Sequence, residues 1–194
     1  MQFRRLGKTD IQVSAVGLGG NTFGPPRLDQ ATSIACIHHA ESLGVNFIDT
    51  AAIYGEGHSE SFIGEALHDR RSAWVVATKF NFWRMAADER PAQRIRRQCE
   101  ESLRKLRTDY IDLYQMHAPV PGVSIDEVLE TLATLVHEGK VRYVGACNFA
   151  AWRHMQALEK GRQNGWPRMV TSQNHYNLVR RHVELETLPF CAAE

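Results

Sequence analysis

Asp49, Tyr54, Lys79 and His117 are the residues of this chain whose types and placement suit proton movement. Taken singly each has an ordinary reading: an aspartate caps a helix, a tyrosine packs, a lysine faces water, a histidine is a satisfied core residue. Their joint placement argues otherwise. Asp49 lies in "NFIDTA", Lys79 in "WVVATKF" and His117 in "YIDLYQMH", and Tyr54 follows in the loop after the first of these apolar runs. If the runs are parallel strands, the four groups gather on one face. A tyrosine with a free pKa of about 10 is a weak acid at neutral pH, and a nearby ammonium favours its phenolate. Lys79 supplies that ammonium, Asp49 pairs with it and holds it in place, and His117 hydrogen-bonds a substrate oxygen or relays a proton. A carbonyl held between Tyr54 and His117 is then polarised and protonated as hydride reaches its carbon. No side chain donates hydride, so this chemistry requires a cofactor. Asn148 and Gln173 add neutral hydrogen-bonding groups to the same rim.

The elements that must position these groups alternate along the chain. Strands are expected at 13–19, 46–51, 74–80, 110–117, 143–149 and 169–176, with helices beginning near Leu28, Ser59, Pro91, Ser124 and Ala150. Pro91 suits a first helical turn, and Gly44, Gly139 and Gly165 suit helix ends. Repeated strand–helix–strand units demand a parallel sheet. Ahead of them, "FRRLGKTDIQVS" reads as a hairpin turning around Gly7 to Asp10. An open doubly wound sheet would carry Gly-x-Gly-x-x-Gly after its first strand, but here Gly17 and Gly19 are followed by Thr22, and Pro25 and Pro26 interrupt the approach to the helix. Polar residues at several strand ends favour a barrel with one functional mouth.

Composition narrows the function classes. The chain has 23 Lys plus Arg against 22 Asp plus Glu, a formal charge of +1, which gives no general attraction to nucleic acid or anionic membrane. The run "RIRRQ" (94–98) reads as the solvated face of a helix whose apolar stripe is Ile95, Cys99, Leu103 and Leu106. The four cysteines stand far apart, the N-terminus has no apolar signal segment, and no stretch approaches the ~20 apolar residues that span a bilayer. A reduced, cytoplasmic protein with no metal site, no nucleic-acid partner and no membrane partner is expected.

The stretch "GVNFIDTAAIYGEGHSESFIGEAL", with "VVATKF", "YIDLYQMHAP", "GKVRYVGACNF" and "SQNHYNLVRR", strongly resembles the aldo-keto reductase family, in the family's order and over nearly all of the chain. The resemblance implies an α/β fold, the (β/α)8 TIM barrel with an N-terminal hairpin at its base. It also implies NADPH-dependent reduction of a small-molecule aldehyde or ketone. Asp49, Tyr54, Lys79 and His117 match the catalytic tetrad, with Tyr54 as the general acid. Asn148 and Gln173 match the groups that hold the nicotinamide carboxamide, Gly20, Asn21 and Thr22 match the loop near the nicotinamide ribose, and Asp49 borders the same site. Cys147 stands where many relatives have serine, as a reactive thiol or a buried small residue. Phe23 and Trp83 line an apolar substrate pocket or pack the loops.

"RRHVELETLPFCAAE" (180–194) spaces Val183, Leu185, Leu188 and Cys191 as one side of a helix, the sixth of such a barrel. Residues 1–194 are therefore expected to form a C-terminally truncated barrel domain of about six of eight strand–helix units, with two open edges that invite self-association. The resemblance places the 2′-phosphate contacts in the absent portion. The alternative reading is a catalytically silent fragment or a cofactor-sensing regulatory subunit of the same fold.

Overall fold

The structure, a computed structural model, describes residues 1–86 and 88–194. A two-stranded antiparallel hairpin comes first, β1 (Phe3–Arg5) against β2 (Gln12–Ser14), with Phe3 opposite Ser14. Six parallel strands follow in chain order across one sheet: β3 (Leu18–Gly19), β4 (Phe47–Asp49), β5 (Val75–Phe80), β6 (Ile111–Met116), β7 (Val141–Cys147) and β8 (Met169–Gln173). Helices separate them: α1 (Gln30–Ser42), α2 (Ser59–Ala66), α3 (Pro91–Leu106), α4 (Ile125–His137) and α5 (Ala151–Asn164), with a short α6 (Thr187–Ala193) after β8. The result is a curled half-barrel with helices between its strands and β3 and β8 at its two edges.

Local chemistry accounts for most boundaries. Asp29 caps α1 by accepting from the Thr32 amide at 2.8 Å, Pro91 opens α3, and Gly165 closes α5 in the left-handed conformation. The helices bury one face against the outside of the sheet. On α3 that face is Ile95, Cys99, Leu103 and Leu106, as its spacing predicts. Val76, Ile111, Val144 and Met169 are equally buried on the strands, so each unit closes its core against the next.

Three expectations need correction. The run 13–19 is not one strand: Gln12–Ser14 turns back on β1, and only Leu18–Gly19 joins the parallel sheet. The sixth strand stops at Gln173, not Tyr176, and the segment beyond it is exposed. The predicted C-terminal stripe is also not the buried one. Val183 is buried in a single 3-10 turn, whereas Leu185 is 84% and Leu188 44% exposed, and it is Phe190 that packs on His154, ring centroids 5.3 Å apart.

Candidate active site

Parallel register brings the chemistry-bearing residues to one end of the sheet. Gly19 pairs with Asp49, Asp49 with Ala77, and Lys79 with Gln115, two residues before His117. Tyr54 begins the 3-10 turn after β4. The next residue, Gly55, has φ 54° and lies so close to the Phe23 carbonyl that a Cβ would collide with it, which holds the Tyr54 loop against the loop after β3.

Lys79 is the centre of the arrangement. Its side chain is 1% exposed, and its ammonium donates to Asp49 Oδ2 at 2.6 Å, to the Thr50 carbonyl at 2.8 Å and to the Tyr54 hydroxyl at 3.4 Å. A buried ammonium is tolerated only when paired and hydrogen-bonded, and here each of its three protons has an acceptor. His117 Nε2 stands 3.5 Å from the same Tyr54 hydroxyl, the two rings edge to face. Burial, and after it the Lys79 charge, push the His117 imidazole down to about 4, so it is neutral at physiological pH. Its Nδ1 is buried without a partner among the described residues.

The structure brings all four of these residues together, and Asn148 and Gln173 with them. Asn148 follows β7 in the left-handed conformation. Its amide nitrogen donates to the His117 carbonyl at 3.1 Å, and its backbone N–H donates to the Gln173 carbonyl at 2.9 Å. Gln173 Oε1 accepts from the Cys147 thiol at 3.1 Å. Burial pushes that thiol up to about 12, so Cys147 is a protonated, buried small residue and not a reactive thiolate. Gly20, Asn21 and Thr22 form a 3-10 turn directly after β3, beside Asp49's strand. Of the two aromatics, Phe23 is a core residue at 2% exposure, whereas Trp83 lies against the His117 ring at 4.8 Å.

Several neighbours escaped the sequence reading. Gln115 donates to Asp49 Oδ1 at 3.4 Å and accepts from Thr171 at 3.1 Å; its position two residues before His117, on the same side of β6, was the available signal. Arg94, expected on a solvated face, is nearly buried. It donates to the carbonyls of Asn81 and Trp83 at 2.8 and 2.6 Å and pairs with Glu89, so α3 holds the loop that carries Trp83. No pattern of apolar residues announces an inward-turned arginine.

Among the described residues no helix is long and apolar enough to cross a membrane. Comparison with known proteins gives this geometry its context. The family model described as "Aldo/keto reductase family" matches residues 15–194. Among curated relatives, the uncharacterized oxidoreductase YrpG of Bacillus subtilis is 36% identical over 97% of this chain and 62% of its own length. The aldo-keto reductase YhdN of the same organism is 36% identical over 98% of the chain and 58% of its own length. Protein tas of Escherichia coli is 33% identical over 95% and 63%. The chain thus spans about three fifths of the length of these relatives. With a family match running from the first parallel strand through α6 and the strand-end residues gathered as described, the chain belongs to the aldo/keto reductase family.

Proposed function

We propose that the protein reduces an aldehyde or ketone to an alcohol with NADPH, using Asp49, Tyr54, Lys79 and His117. The observation that carries this reading is the convergence of the Lys79 ammonium and His117 Nε2 on one phenolic oxygen. When bound, NADPH supplies hydride to the carbonyl carbon. Tyr54 gives its proton to the carbonyl oxygen, and the charge left on the phenolic oxygen is met by Lys79, itself held by Asp49 and the Thr50 carbonyl. An N–H at the buried, unpartnered Nδ1 of His117 would be a costlier orphan than a lone pair there, so the neutral ring keeps its proton on Nε2 and aims it at the substrate oxygen.

The rim fits a nicotinamide carboxamide by its donor set. Asn148 spends an amide proton on the His117 carbonyl and offers Oδ1 as an acceptor. Gln173 has Oε1 engaged by Cys147 and offers Nε2 as a donor. A primary carboxamide needs one of each. Gly20, Asn21 and Thr22 seat the adjoining ribose, and Trp83 forms an apolar wall beside His117 for the substrate.

The test is fluorescence titration of NADPH and NADH into the 194-residue chain, followed by NADPH oxidation with a panel of aldehydes and ketones. Tyr54→Phe should leave the NADPH dissociation constant within about twofold and lower turnover by at least about 100-fold, the lower end of general-acid contributions. Equal turnover in the variant would remove Tyr54 from the mechanism. Saturable binding with no turnover on any carbonyl would replace the reductase reading with that of a cofactor-sensing protein.

A further inference from the structure

Thr50 and Ser59 lie outside the four groups that face the substrate, and both are fully buried. Thr50 uses every polar group it has. Its amide donates to the Ala77 carbonyl at 2.8 Å, which anchors it to β5 two residues before Lys79. Its carbonyl accepts from the Lys79 ammonium at 2.8 Å. Its hydroxyl lies 2.8 Å from Ser59 Oγ, and Ser59 in turn donates to the Gly20 carbonyl at 2.8 Å. Ser59 has one hydroxyl proton and gives it to Gly20, so Thr50 is the donor of the pair. The hydrogen bonds therefore run in one direction, from Thr50 to Ser59 to Gly20. Gly20 is pressed into this junction: a Cβ there would stand 2.8 Å from Ser59 Oγ and 3.2 Å from Thr50 Oγ1.

The same helical turn grips β5 as well. Glu60, next to Ser59 and 1% exposed, accepts from the Thr78 hydroxyl at 2.7 Å, and Thr78 precedes Lys79. Two consecutive residues of α2 thus hold the sequence neighbours of Asp49 and of Lys79 from outside the sheet.

We propose that Thr50 and Ser59 are positioning residues that fix the Lys79 ammonium toward Tyr54 and tie it to the Gly20–Thr22 turn. The ammonium has three protons. Asp49 and the Thr50 carbonyl take two in short bonds, which leaves the third directed at the Tyr54 hydroxyl. If the Thr50 peptide loses its hydroxyl tether, the ammonium can follow Asp49 alone and drift from the phenol. The catalytic consequence rests on the reductase reading, but the placement of Lys79 does not.

The experiment follows the 1H–15Nζ cross-peak of Lys79 in the full chain, assigned by its disappearance in Lys79→Met. Thr50→Val keeps volume and branching and deletes the hydroxyl, Ser59→Ala breaks the other end, and Thr50→Ser restores the donor. Thr131→Val is the control, since it removes a largely buried hydroxyl bonded to the Glu127 carbonyl on α4, away from this junction. Thr50→Val and Ser59→Ala should each speed exchange of the Lys79 ammonium protons with solvent by about tenfold, the scale of one lost hydrogen bond, while Thr50→Ser and Thr131→Val stay within about twofold. In the reductase assay the first two should lower kcat by a similar factor with KM for the carbonyl nearly unchanged, and Thr50→Ser should rescue it. Unchanged Lys79 exchange in Thr50→Val and Ser59→Ala would overturn the proposal, as would equal acceleration in Thr131→Val. If exchange responds as expected in a wild-type chain that shows no Tyr54-dependent turnover, the positioning role stands and the reductase reading falls.

Discussion

His117 owes its ionisation to its surroundings. Burial is the larger cause of its depressed value and the Lys79 charge the smaller, while the Trp83 ring covers one side of it. A neutral imidazole can donate from Nε2 without placing a second cation beside Lys79, which is what the proposed proton transfer from Tyr54 requires. The expected outcome is measurable by NMR: the His117 imidazole titrates with a midpoint near 4 and shows no inflection around the ordinary 6.5. Trp83→Ala admits water and should move the midpoint upward. Because the folded-state value is depressed, the stabilising contribution is complete above the unfolded value and is lost as pH falls through the folded one, between 6.5 and about 4. A normal midpoint in the wild type would contradict both the burial and the placement of Trp83.

At the scale of elements, α2 and α3 do more than cover the sheet. Glu60 on α2 is the clearest case. Burial raises its carboxyl above the ordinary value, the Thr78 hydroxyl and Lys105 pull it down, and Glu101 adds a smaller upward push. A raised folded-state value means stability is greatest below the ordinary value of 4.5 and declines as pH rises from there through the folded one. Glu60→Gln keeps an acceptor for Thr78 and cannot ionise, so thermal melts from pH 5 to 8 should show a flatter stability profile and a melting temperature at pH 8 no lower than wild type. Glu60→Ala removes the acceptor and leaves a cavity, and should cost about 2–4 kcal/mol in denaturant unfolding. A melting temperature for Glu60→Gln well below wild type at pH 8 would mean the carboxylate is needed in its charged form. Such residues mark the limit of what periodicity conveys. The apolar stripe of α3, the proline at its start and the glycines at 44, 139 and 165 were legible, because each follows from a local steric or hydrophobic rule. The inward roles of Ser59, Glu60 and Arg94 were not. A polar residue on a helix looks the same in sequence whether it meets water or a buried carbonyl, and only the neighbouring strand decides. The convergence of Asp49, Lys79 and His117, with Tyr54 in the loop after β4, was legible for the opposite reason, since strand ends in a parallel sheet share one face regardless of side-chain detail.

Across the sheet formed by residues 1–194 a different weakness shows. The sheet curls but ends at β3, two residues long, and at β8, whose far side has no strand partner among the described residues. The segment after β8 carries Leu178 and Val179 at 90% and 91% exposure, while on the flank Phe190 of α6 packs on His154 and Glu194, just past α6, pairs with Arg162 and Arg168. Between the hairpin, β8, α5 and α6 lies a cavity of about 250 Å³ lined in part by Leu158, Met169 and Phe190. A sheet edge presents unpaired N–H and C=O groups, and adjacent apolar side chains add a hydrophobic drive to cover it. A formal charge of +1 supplies little repulsion to oppose association. Sedimentation of the 194-residue chain should therefore show dimers or larger species that grow with concentration, and Leu178→Ser with Val179→Ser should shift the distribution toward monomer. The same double variant leaves Lys79, Tyr54 and His117 untouched, so NADPH binding measured beside it separates two cases. Binding that persists in the monomer means that one half-barrel holds its own cofactor site. Binding that vanishes together with the association means that a second copy covers the open edge and completes it.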